Sequence, residues 1–323
     1  MSVIKFFCIG AAVVFSVIGV IAITKKTDKA EATPLLSKEI TSICPKIAKE
    51  NSIKNPVSVS ESGFPCIDRV FQLFSTGPSK LPIVETIEYS SSAPWLKGRP
   101  AWLSDYAAYY STSRHFIARS LNGSLDYFSQ KVLAGDRFNV FKKDKKIEFH
   151  LALDVSRLQM ALFYLDLDTH ERVLLKVYPV GLGRQDPTKP SKTATPLGVY
   201  QLGEKVAVYK PGVMGFFHDK KTEMIQVFGS RWIPLGEEIE GCSEPARGYG
   251  LHGAPWIVDT LSGQLVENTG CIGKYESDGS IRLLAKDIEE LYAIVITKPT
   301  FIYISKDFHD ITLPGVEVAT PSR

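Results

Sequence analysis

A cysteine and a histidine carry the clearest chemical signal in the chain. Cys271 lies in Asn268-Thr269-Gly270-Cys271-Ile272, nineteen positions after His252, which lies in Gly248-Tyr249-Gly250-Leu251-His252-Gly253. A thiolate is a strong nucleophile, and an adjacent imidazole generates it by taking or sharing the thiol proton. Flanking glycines let the main chain approach a reacting carbonyl, where N–H groups hold the developing oxyanion. The amide of Cys271, with that of Gly270 or Thr269, is the candidate for such a hole. The same residue types also fit an inert packing cysteine and a turn histidine, so the surrounding segments must decide.

Those segments run in a recognisable order. Residues 149–155 are followed by residues 158–164. Val180-Gly181-Leu182-Gly183 is followed by Thr195-Pro196-Leu197-Gly198-Val199-Tyr200. Then come Arg231-Trp232, Leu251-His252-Gly253 and Gly270-Cys271-Ile272. Together, over residues 149–304, they resemble the L,D-transpeptidase catalytic domain of the YkuD family. Its members cross-link bacterial peptidoglycan through a cysteine. The pattern departs from the family at three places. Asn268 stands where a serine is usual, Thr269 where a second histidine is usual, and Gly273 where an arginine is usual. Arg282-Leu283-Leu284 reads as the displaced continuation, after an insert over residues 273–281.

The resemblance implies a mechanism. A donor stem peptide places its carbonyl at Cys271, the thiolate attacks, the terminal D-alanine leaves, and a thioester forms. An amine of a neighbouring stem then takes the acyl group. His252 is implied as the proton acceptor and donor, oriented by a backbone carbonyl, with Asp259 not expected as a third member. Arg282 suits a substrate carboxylate, because a guanidinium offers a planar fork of donors. It also fits a brace for the cysteine loop, or an ion pair with Asp278 or Asp287. Tyr249, Trp256 and Trp232 are expected along the cleft, or as core packing. Residues 206–221 are long for a hairpin and fit a lid or a flexible connection. With water as acceptor the same site is an L,D-carboxypeptidase. With the site inactive, the chain is a wall-binding scaffold.

The elements that hold the site follow from hydrophobic spacing. Apolar residues alternate from Phe149 to Val155, as in a half-buried strand. Residues 160–165, 173–180, 198–202, 224–228 and 301–304 read as further strands. Residues 284–295 read as a helix, with Leu284, Ile288, Leu291, Tyr292 and Val295 on one face and acids toward its start. The fold class is therefore mostly β: a β-sandwich-like catalytic domain with one late helix. Before it, residues 35–49, 66–74 and 102–118 have helical spacing, residues 78–98 look irregular, and residues 133–141 read as a turn into a strand. The expected division is 1–26 anchor, 27–148 a smaller, partly helical region, 149–305 catalytic domain and 306–323 tail.

Composition narrows the partners. The net charge is +3 over 323 residues, and no basic stripe interleaves with aromatics, so nucleic acid is not expected. Residues 6–23 carry no charge and are flanked by Lys5 and by Lys25-Lys26. Eighteen helical residues span close to the ~30 Å hydrocarbon core, so a single-pass transmembrane anchor is expected rather than a cleaved signal peptide. The implied substrate places the remainder in the periplasm, on the inner membrane, with stem peptides and cell-division or wall-synthesis proteins as partners. Cys44 and Cys66 fit a disulfide or two reduced thiols. Cys242 fits packing or a redox partner for Cys271. Cys242, His252 and Cys271 lack the spacing of a zinc site, and no metal or other cofactor is expected.

Overall fold

Alternating hydrophobicity puts every second side chain of a strand on one face, and the segment beginning at Phe149 does this. The computed structural model describes residues 64–121 and 131–318, where the strand runs Ile147–Asp154. Its Phe149, Leu151 and Leu153 join the main core. Its other face is buried too, which corrects the half-buried expectation. Ala152, Ala161, Phe163 and Leu174 are covered by Phe64 and Ile67 before the domain and by Ile311 and Leu313 after it.

The strand pairs antiparallel with Gln159–Asp166, setting Leu151 opposite Leu162, and parallel with Thr300–Ser305, setting Leu151 opposite Ile302. One hydrogen-bonded path runs through Ile281–Leu283, Gly250–Gly253, Arg231–Glu240, Gly198–Leu202, Thr300–Ser305, Ile147–Asp154, Gln159–Asp166, Glu171–Pro179 and Val316–Glu317. The fold is mostly β, as expected. Ten strands form this one sheet, with Ala207–Val208 off the path, and among the described residues the remaining strands pair as four two-stranded sheets. The long strand Arg231–Glu240 makes this possible. Its first half pairs with Gly250–Gly253 and its second half with Gly198–Leu202, with register shifts between. Such irregularities bend a strand and increase its twist.

The late helix runs Ala285–Val295 and buries Ile288, Leu291, Tyr292 and Val295. Its first turn is anchored on both sides. The Ala285 N–H donates to the Glu267 carboxylate, and Asp287 pairs with Lys176 at 3.2 Å. Negative groups at a helix N-terminus are favoured by the unsatisfied amides there.

Three other segments differ from the spacing-based reading. Residues 224–228 form a one-turn helix, Ile225–Phe228, ended by Gly229 at φ +59°. Residues 102–118 form two helices, Leu103–Tyr109 and Arg114–Leu121, broken at Ser111, whose φ is +45°. The hydroxyl of Ser113 accepts from the Phe116 N–H and donates to the Ala293 carbonyl at 2.6 Å, which ties the second helix to the late one. Residues 78–98 contain the strand Val84–Glu88, paired with Arg137–Phe141.

The described residues belong to one compact unit. Val70, Leu73, Ile83, Phe116 and Phe141 share a core with Phe149 and Leu151. Among the described residues no helix is long and apolar enough to cross a membrane. The apolar span 6–23, the segment 35–49 and Cys44 lie outside the described residues. Cys66 is disulfide-bonded, whereas Cys242 and Cys271 are free thiols.

Candidate active site

His252 sits on the short strand Gly250–Gly253, whose residues are all buried. Small residues on either side let chains come close here. A methyl group at Gly229 would stand 2.6 Å from the Gly253 carbonyl carbon, so two backbones meet where a Cβ would not fit. This brings Phe228 edge-on to the imidazole, with ring centroids 5.6 Å apart. Trp232, directly cross-strand from His252, lies at 6.0 Å on another side. Tight burial disfavours the charged imidazolium and pulls its pKa down to about 4, with the nearby Arg282 charge acting the same way. At neutral pH the ring is therefore uncharged. Its Nδ1 lies 2.7 Å from the Gly253 carbonyl oxygen. A carbonyl only accepts, so Nδ1 carries the proton and Nε2 keeps a free lone pair. That is the tautomer of a general base.

Cys271 ends a 3-10 turn, Thr269–Cys271, and only 1% of its surface is exposed. Its position is fixed through Gly181. A methyl there would fall under 3.0 Å from the Cys271 carbonyl oxygen, so only glycine fits without movement. Gly181 is bridged to Arg282, and Arg282 is in register with His252 across parallel strands. Cys271, Gly181, Arg282 and His252 are thus neighbours along one end of the sheet. Burial pushes the Cys271 thiol up, and the Arg282 charge pulls it back. The resting site pairs a protonated thiol with a neutral imidazole. Among the described residues no hydrogen bond joins His252 to the Cys271 sulfur, and the imidazole bonds to Gly253.

The other expected residues divide. Arg282 is half-buried, its Nε is buried, and among the described residues that atom has no hydrogen-bond partner. Neither expected ion pair forms, because Asp278 pairs with Arg184 and Asp287 with Lys176. Thr269 and Gly270 are exposed, and the Cys271 N–H is held only by a long 3.4 Å bond to the Asn268 carbonyl. Trp256 lies on the hairpin Trp256–Val258 with Leu265–Glu267, its indole N–H buried and without a partner among the described residues. Tyr249 packs its ring against Gly279 in the loop after the cysteine. Asp259 binds Ser262 at 2.6 Å within that hairpin's turn, away from a role as third member. Cys242 donates to the Val199 carbonyl at 3.1 Å, which fits packing. Residues 206–221 are ordered as the strand Ala207–Val208 and a hairpin of Met214–Phe217 with Lys220–Glu223.

Two contributors were not read from the sequence. Phe228 was assigned to a strand, and only the following Gly229 hinted that the chain turns there. Glu267 carries no local signature, because its link to the late helix is a long-range contact.

Residues 149–304 match the YkuD family, described as the L,D-transpeptidase catalytic domain. This segment is a YkuD domain. Two solved structures are also similar. One is Bd1075 of Bdellovibrio bacteriovorus, with 15% identity over 49% of this chain and 48% of that one, and a TM-score of 0.30. The other is the helical cell shape determining protein Pgp2 of Campylobacter jejuni, with 15% identity over 53% of this chain and 51% of that one, and a TM-score of 0.32. The chain spans about half the length of these structures. No curated protein matches it.

Proposed function

We propose that the YkuD domain is a cysteine acyltransferase that forms L,D-cross-links between peptidoglycan stem peptides. Cys271 attacks the donor carbonyl and is acylated as the terminal D-residue leaves. His252 Nε2 takes the thiol proton as the bond forms and gives it to the departing amine, so that the neutral ring can then deprotonate the incoming amine. A neutral thiol and a neutral imidazole suit this order, because proton transfer accompanies attack rather than preceding it. The N–H groups of Cys271 and Gly270 or Thr269 supply the oxyanion contacts. The observation that carries the reading is the run of neighbours from Cys271 through Gly181 and Arg282 to His252.

The same reading places the domain outside the cytoplasm, on a membrane anchor formed by residues 6–23. The disulfide at Cys66 supports an oxidising compartment.

A second reading is an inactive wall-binding scaffold. The observations that favour it are the nearly complete burial of Cys271 and the missing bond to His252. Muropeptide mass spectrometry after incubating the purified full-length protein with stem peptides separates the outcomes. Cross-linked dimers are expected. Shortened monomers alone would make it a carboxypeptidase, and unchanged peptides would leave the scaffold.

A further inference from the structure

A cavity of about 450 Å³ lies beside the cysteine loop and is lined by neither Cys271 nor His252. Its volume is in the range of small-ligand sites. Val155, Pro187 and Tyr275 give it an apolar floor, while Gln185, Lys192 and Lys306 bring polar groups. The Tyr275 hydroxyl is spent on the Val155 carbonyl at 2.7 Å, so it offers the cavity its ring.

The acidic groups near the cavity are each engaged by another residue. Asp154 and Asp307 both pair with Arg157, at 2.6 and 2.9 Å. Asp186 binds the Thr188 hydroxyl at 2.6 Å, and Glu244 pairs with Lys189. Among the described residues neither Lys192 nor Lys306 has an ion-pair partner. Two exposed ammonium groups without a direct ion pair, beside apolar lining residues, suit an anion carried on a partly apolar body.

The cavity is also near the nucleophile along the chain. Tyr275 comes four residues after Cys271 and pairs with Leu182, the neighbour of Gly181. Four extended residues reach at most about 14 Å, the length of a short peptide. We propose that this cavity holds a carboxylate of the acyl-donor peptide, gripped by Lys192 and Lys306, while the peptide's scissile carbonyl lies at Cys271. This rests on the reading of Cys271 as the acylated nucleophile.

The test is calorimetric titration of the full-length protein carrying Cys271→Ala, which prevents turnover. The probes are an acidic tetrapeptide ending in D-alanine and the same peptide with its side-chain carboxylate amidated. Lys192→Gln with Lys306→Gln removes both charges and leaves polar, flexible side chains in their place. Expected is about a tenfold rise in Kd for the acidic peptide in the lysine variant. The amidated peptide should bind the parent equally weakly and ignore the lysine changes. An acidic peptide whose Kd is the same in both proteins, or that does not bind the parent, overturns the proposal. Carbapenem acylation of Cys271 in the otherwise unaltered protein separately scores the acyltransferase reading. Acylation that persists while the titrations fail would reject only the cavity.

Discussion

Replacing Gly181 with alanine tests the packing that holds Cys271. The added methyl would lie under 3.0 Å from the Cys271 carbonyl oxygen and 3.3 Å from its carbonyl carbon. Relief requires the Cys271 main chain to move by roughly 1 Å, to ordinary contact distance. The neighbouring side chain of Arg282, at 3.5 Å from the same methyl, blocks escape in its direction. Inserting a methyl into such a place costs about 2 kcal/mol, or a fall in Tm of roughly 5 °C for a unit of this size. A displacement of about 1 Å at the reacting atom lowers turnover about 100-fold. Intact-mass measurement of the rate of Cys271 acylation by a carbapenem, beside differential scanning calorimetry, reads both effects. Gly77→Ala is the control, since its methyl meets only the Ser75 hydroxyl at 3.6 Å. If Gly181→Ala acylates at the parent rate with the parent Tm, the glycine does not position the cysteine.

Two further outcomes follow from the charges. His150 and His252 are both buried and both drawn down to about 4 from 6.5. The unfolded chain takes up protons that the folded chain refuses, so stability is complete above about pH 6.5 and falls as the pH drops toward 4. The loss is about 2 kcal/mol per histidine between neutral pH and about pH 5, read as a lower denaturant midpoint. A midpoint unchanged across that window would mean the two imidazoles are not held neutral. Arg282→Gln removes the charge that pulls the Cys271 thiol down. The pH midpoint of Cys271 alkylation by iodoacetamide should therefore rise, and a midpoint that stays or falls would show that the guanidinium does not act on the sulfur.

Much of the β framework was legible because strands carry a local period of two. The strand Gly198–Leu202 and the helix Ala285–Val295 were read nearly residue for residue, since their apolar faces repeat cleanly. Spacing failed where tertiary contacts override it. The run of residues 224–228 is as apolar as a strand, yet Phe228 folds onto His252 and Trp232, and Gly229 turns the chain. Burial on both faces of Ile147–Asp154 depends on segments at opposite ends of the domain, which no local pattern reveals. In the site, Cys271 and His252 were legible as candidates from residue type and glycine context. The link through Gly181 was not, because the motif shows two glycines without showing what stands against them. The partners of Asp278 and Asp287 were equally hidden, since Arg184 and Lys176 come from segments remote in sequence.

The account stands on Cys271 as a nucleophile that reaches an acyl donor despite its burial. Intact-mass spectrometry after incubation with a carbapenem tests this most directly, comparing the parent protein with Cys271→Ala and His252→Ala. A single covalent adduct is expected on the parent, none on Cys271→Ala, and slow formation on His252→Ala. An adduct that survives in Cys271→Ala, or a parent that gains no mass, would contradict it.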